Sequence, residues 1–119
     1  MLHVKSLGSA KIISLDVESV REKLKKVARN LNKQDKNVLS VWLFGSIARG
    51  DALPGSDADI LIVLRDSALS LPKRMTRFMD YFADLGLEID IFPLTEKELE
   101  EKKNDLFWKK ILAERLRLA

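Results

Sequence analysis

The chain has 119 residues, 46% apolar and 33% charged, with 21 basic against 18 acidic side chains, a net charge of +3 and no cysteine. That length suits a single domain over residues 1–119 with one sizeable core, and the apolar share excludes a disordered chain. The missing cysteines exclude a disulfide scaffold and a thiolate metal site. In chain order, "MLHVKSLGSAKIISL" lacks the long apolar core of a signal peptide, and no later run is long enough to span a bilayer. A cytoplasmic location with no membrane contact is therefore expected. "AKIISL" is a short strand or an extended lead-in. Asp16 caps a helix whose stripe is Val17, Val20, Leu24, Val27 and Leu31, fading near Asn30–Asn32. Its basic residues, in "REKLKKVARNLNK", form the wet face. "VLSVWLF" (Val38–Phe44) and "ADILIVL" (Ala58–Leu64) are short, branched and apolar, and predict two buried strands separated by a turn. Ser70 and Pro72 open a second helix with Leu71, Met75, Phe78, Phe82 and Leu85 as its stripe and Gly86 as its end. "LEIDIFPL" is a third strand, stopped by Pro93. Thr95 and Glu98 then form a capping box for a last helix running almost to the C-terminus. Leu99, Leu106, Phe107 and Ile111 lie on its apolar side, and Trp108 is assigned to packing. This order predicts a small α/β or α+β domain with at least three strands covered by helices.

Charge is unevenly spread. Residues 38–94 carry five basic and eight acidic groups, although the whole chain is basic. Nucleic-acid binders gather positive charge around their sites, so direct binding of that kind is not expected. An acidic middle suits a site that recruits cations.

Within that middle, Asp57 and Asp59 are two apart and project from one face of an extended chain. Like charges at this spacing raise each other's pKa unless a cation lies between them. The preceding "PGSD" is good turn chemistry, yet Asp59 abuts "ILIVL", which places it at the mouth of the core. Asp90, between Ile89 and Ile91, adds a third carboxylate if its strand pairs beside that of Asp59. Glu88 shares a face with Asp90 by period two, so alternation alone does not choose between them; burial between two isoleucines favours Asp90. Three carboxylates make sense as a hard-cation site, most simply for magnesium, with nucleotide phosphates completing the coordination. Gly45–Ser46, at the end of a strand, has the form of a helix start brought close to a phosphate. Arg49 is a further candidate phosphate contact.

Together these residues read GS-x10-D-x-D followed by a later strand aspartate. The pattern, in "FGSIARGDALPGSDADILIV", resembles the DNA-polymerase-β-like nucleotidyltransferases, and within them the minimal, MNT-type enzymes. The resemblance implies a small nucleotidyltransferase fold with a mixed sheet packed against helices. It implies that Gly45 and Ser46 hold the triphosphate of ATP, and that Asp57 and Asp59 bind two magnesium ions, with manganese as a substitute. Asp90 would complete the triad and help activate the attacking hydroxyl. MNT proteins resemble the antitoxin half of HEPN–MNT pairs, in which AMP is added to a tyrosine of the HEPN ribonuclease toxin. The short chain leaves little room for an acceptor, so a partner or second subunit in a homo- or hetero-oligomer is expected to present one. Two alternatives stay open: an aminoglycoside-type small-molecule nucleotidyltransferase, and a non-catalytic antitoxin that acts by binding alone.

Overall fold

The computed structural model describes residues 2–7, 10–53 and 55–119, with side chains described from residue 16 onward; Pro54 of the "PGSD" turn lies outside them. Two strands, Leu2–Leu7 (β1) and Ala10–Leu15 (β2), pair antiparallel, with Leu2 opposite Leu15 and Leu7 opposite Ala10. The second is the predicted "AKIISL" element.

Helix α1 (Val17–Gln34) starts as predicted, with the Asp16 carboxylate accepting from the Ser19 N–H. It runs past Asn32, because the Asp35 N–H still reaches the Leu31 carbonyl and closes a last turn. Four more strands form one sheet in the order β5-β4-β3-β6. They are β3 (Val38–Phe44), β4 (Ala58–Leu64), β5 (Ile89–Thr95) and β6 (Leu116–Arg117). β4 runs parallel to β5, whereas the β3–β4 and β3–β6 pairs are antiparallel. The sheet is therefore mixed.

Helices cover both faces. Val41, Leu43, Ile60 and Ile62 pack on Val20, Leu24 and Leu31 of α1 and on Phe78 of α3 (Leu71–Met79). Leu61, Val63 and Leu94 pack on Trp108 and Ile111 of α5 (Leu106–Glu114). Residues two apart share a face, so β4 needs apolar side chains on both sides, which is why it reads as a continuous hydrophobic run. Among the described residues no helix is long and apolar enough to cross a membrane.

Three expectations need correction. Pro93 does not stop β5. Its missing N–H faces the open side of an edge strand, and its carbonyl there accepts from Arg74 Nη1 at 3.2 Å. The second helix tightens after Met79 into a single 3-10 turn, Asp80–Phe82, which still buries Phe82. The last helix is two helices, α4 (Glu96–Lys102) and α5, followed by β6. Asp105 restarts the helix by accepting from the Phe107 and Trp108 N–H groups. Leu106 and Phe107 consequently face solvent rather than the core.

The stripe of α3 also differs, because Arg74 is buried where Leu71 is exposed. Its guanidinium donates to the Leu69 and Pro93 carbonyls and, at 2.5 Å, to Glu98 Oε1. Glu98 in turn completes the predicted capping box with Thr95. The Arg74 hydrogen bond holds the Glu98 carboxyl below its ordinary 4.5. Its contribution to stability is thus present above that value and lost as pH falls through the depressed one. Arg74→Ala leaves β5 and α4 without their shared donor. It is expected to cost about 3 kcal/mol, or roughly 10 °C in thermal midpoint. A loss below about 1 kcal/mol in urea unfolding would show that the network adds nothing net.

Candidate active site

The site begins where β3 ends. Phe44 stands opposite Asp59 in the β3–β4 ladder, and the chain turns at Gly45, with φ +77°, into the five-residue helix α2 (Gly45–Arg49). A Cβ on Gly45 would lie 2.2 Å from Asp59 Oδ2. Glycine is required here both by the backbone and by the close approach. The far end of α2 is held from α1. Arg21 donates through Nε and Nη2 to the Ile47 carbonyl, at 3.2 and 2.9 Å, and through Nη2 to the Ala48 carbonyl at 2.8 Å. Arg21 therefore leaves the wet face expected for the basic stretch, because a helix this short needs a donor for its terminal carbonyls.

Parallel pairing of β4 and β5 sets Asp59 directly opposite Asp90, and both share the face that carries Leu61 and Leu94. Glu88 is separated from them. It borders a small cavity of about 140 Å³ beside Met79, Phe82 and Ile91. The register thus distinguishes Asp90 from Glu88, which period two did not. Burial does not: Asp90 is exposed, because β5 is an edge strand here near its start. Asp57, also exposed, lies at the entry to β4.

Asp59 is the electrostatic centre of the group. Desolvation first, then the charges of Asp90 and Asp57, push its carboxyl up from 3.8 to about 6, and Arg49 opposes them. Among the described residues no three carboxylate or imidazole groups stand gathered as a ready metal set. What the protein provides is a half-buried carboxylate with two acidic neighbours and little protein charge to balance it.

Gly45, Ser46, Arg49 and Asp59 form one wall of a cleft of about 400 Å³; Phe107, Lys110, Ile111 and Glu114 of α5 form the other, with Phe44 and Phe92 between. Arg49 bridges the walls. Its Nε donates to Asp51 at 3.2 Å and its Nη1 to Glu114 at 3.0 Å, and the Asp51 hydrogen bond above all raises its pKa. The α5 wall was missed in the sequence. Its signal was the spacing 107, 110, 111 and 114, one helix face carrying both an aromatic and charges, which the apolar neighbours Leu106, Trp108 and Leu112 obscured. A larger groove of about 610 Å³, beside Trp42, Leu99, Leu112 and Arg115, contains none of the three aspartates.

A family model described as a nucleotidyltransferase domain matches residues 21–117. Bifunctional uridylyltransferase/uridylyl-removing enzymes of Burkholderia mallei and Burkholderia pseudomallei are 39% identical over 70 residues. That stretch is 57% of this chain but 8% of theirs, so the chain spans a small fraction of these curated relatives. Among solved structures, a Sulfolobus solfataricus protein regarded as a nucleotidyltransferase superposes with a TM-score of 0.61 at 21% identity, covering 94% of this chain and 90% of that one. A chain of the Shewanella oneidensis complex between a tri-AMPylated HEPN toxin and an MNT antitoxin gives 0.54 at 16% identity, covering 87% and 71%. At these identities the structural likenesses concern the fold.

Proposed function

Because the chain belongs to the nucleotidyltransferase domain family, we propose that it transfers a nucleoside monophosphate from a triphosphate to a hydroxyl, specifically AMP from ATP to a tyrosine of a HEPN-type toxin. The observation that carries this reading is the in-register pairing of Asp59 with Asp90. Asp59 stands next to the Gly45 turn and lines the cleft, whereas Asp57 and Asp90 lie outside its lining.

Asp57, Asp59 and Asp90 would hold divalent ions, magnesium or manganese. They fit such a group because Asp59 is desolvated beside two acidic neighbours with only Arg49 opposing them, and a cation would add the missing positive charge. When bound, the ions neutralise the reacting phosphate and the entering oxygen. Ser46 would donate its hydroxyl to the outer phosphates, the Gly45 turn lets them approach the backbone closely, and Arg49 adds positive charge. Asp90 would accept the acceptor's proton as its oxygen bonds to the α-phosphorus and the bond to pyrophosphate breaks. α5 would screen one side of the cleft from water.

The toxin as acceptor is suggested by the Shewanella complex, whose toxin carries AMP groups. The Burkholderia relatives favour a second reading, uridylyl transfer, over the stretch they share with this chain. Incubation with magnesium, labelled ATP or UTP, and a HEPN-type toxin separates them. The expected result is an AMP adduct on a toxin tyrosine by mass spectrometry, absent with UTP and with Asp59→Asn. An unmodified toxin that both wild type and Asp59→Asn silence equally would establish inhibition by binding alone.

A further inference from the structure

α5 buries Trp108 and Ile111, yet leaves Phe107 62% exposed on the cleft wall. An aromatic ring held in water across the cleft from Asp59 is not required by the core. Phe107 is nonetheless held in place, set edge-to-face on Trp108 with centroids 5.9 Å apart; Trp108 meets Phe92 at 6.1 Å. Lys110 follows one turn later on the same wall and makes no ion pair among the described residues. Glu114, a further turn on, holds Arg49. Phe107 and Glu114 are seven residues apart, roughly 10 Å along the helix axis. One face of α5 therefore presents, in order, an aromatic ring, a free ammonium and the arginine clamp. That is the layout of a nucleoside triphosphate read from base to outer phosphates.

We infer that Phe107 is the stacking platform for the nucleobase, with Lys110 facing the phosphate nearest the ribose. This assignment rests on the transferase reading and adds to it the basis of nucleotide preference. Among the described residues lining the cleft there is no side-chain amide, and the one hydroxyl, Ser46, lies at the opposite wall. With Arg49 and Glu114 paired to each other and Lys110 assigned to the phosphate, this reading holds the base by its π-face rather than by hydrogen bonds to its edge. Stacking strength grows with ring area and tolerates edge chemistry. Purine triphosphates bind more tightly than pyrimidine ones, and adenine is barely distinguished from guanine.

The test is calorimetric binding of non-hydrolysable ATP, GTP, CTP and UTP analogues, with magnesium, to the full chain, alongside inorganic triphosphate as a probe without a base. Phe107→Ala is expected to weaken the ATP and GTP analogues about 5- to 30-fold and to leave inorganic triphosphate unchanged, while Phe107→Trp retains binding. Because Phe107 is exposed, neither variant should unfold, and a thermal melt checks this. Equal loss for inorganic triphosphate, no loss for the ATP analogue, or more than about tenfold preference between ATP and GTP analogues overturns the stacking assignment alone. Failure of the wild-type chain to bind any analogue overturns the transferase reading, and this assignment with it.

Discussion

Asp59→Asn is expected to reduce nucleotidyl transfer by about 1000-fold, roughly 4 kcal/mol of transition-state stabilisation, while raising the thermal midpoint of the metal-free chain. The two effects share one cause. Asp59 is half-buried, and its carboxyl is pushed to about 6 by desolvation first and by Asp90 and Asp57 next. Between 3.8 and about 6 the folded chain holds a proton that the unfolded chain has released. Stability from this group is therefore greatest below that window and falls as pH rises through it. Above it, the ionised side chain costs about 1–2 kcal/mol once solvent screening is allowed for. Asparagine keeps the shape and removes the charge, so the variant should melt a few degrees higher near neutral pH and no higher under acid. Magnesium with ATP should stabilise the wild type more than the variant, which keeps the base and phosphate contacts but loses a metal ligand. A variant that keeps its activity would remove Asp59 from the machinery. One that melts lower at neutral pH would make the carboxylate structural.

Gly45→Ala is expected to damage both stability and transfer, because the added methyl meets two separate obstacles. The φ of +77° costs an L-residue about 1–2 kcal/mol. The new Cβ would also sit 2.2 Å from Asp59 Oδ2, far inside contact distance, so either the turn or the carboxylate must move. Asp59 is short and its strand is fixed by neighbours on both sides, so it has little room to yield. A total loss of about 2–4 kcal/mol and at least a 100-fold drop in transfer follow. The obstacles separate in a double-mutant cycle with Asp59→Ala, which removes the clashing oxygen. The pair should then couple by more than about 0.5 kcal/mol, the remaining cost being the backbone strain alone. Additive losses would show that Gly45 is needed for its dihedral angle only.

The chain's local chemistry was legible wherever the deciding atoms lie close together in sequence. β3 and β4 followed from short branched runs, α1 from its stripe and Asp16 cap, and α4 from the Thr95–Glu98 box. Gly45 and Asp59 come near one another through α2 and the loop after it, between two strands that both read as apolar runs but whose antiparallel pairing only the structure supplies. Features set by distant partners were not legible. Arg74 is buried because a carbonyl 19 residues away and a carboxylate 24 away accept its hydrogen bonds, where a periodic pattern favours Leu71 and Met75. Pro93 is tolerated because β5 is an edge strand, and strand order is not written in a strand's own residues. The same holds for Arg21, whose acceptors are 26 and 27 residues away.

The sequence by itself determined a mixed helix-and-strand chain and a set of candidate site residues, since dihedral preferences, caps and period-two alternation act over a few residues. Only the tertiary structure decided which carboxylate faces Asp59, because parallel register fixes Asp90 there and leaves Glu88 by another cavity. It also decided that α5 closes the far wall of the cleft, bringing Phe107, Lys110 and Glu114 to residues some 60 positions earlier. Packing across a sheet is a cooperative choice among many weak contacts, and no local stretch carries enough of that free energy to announce it.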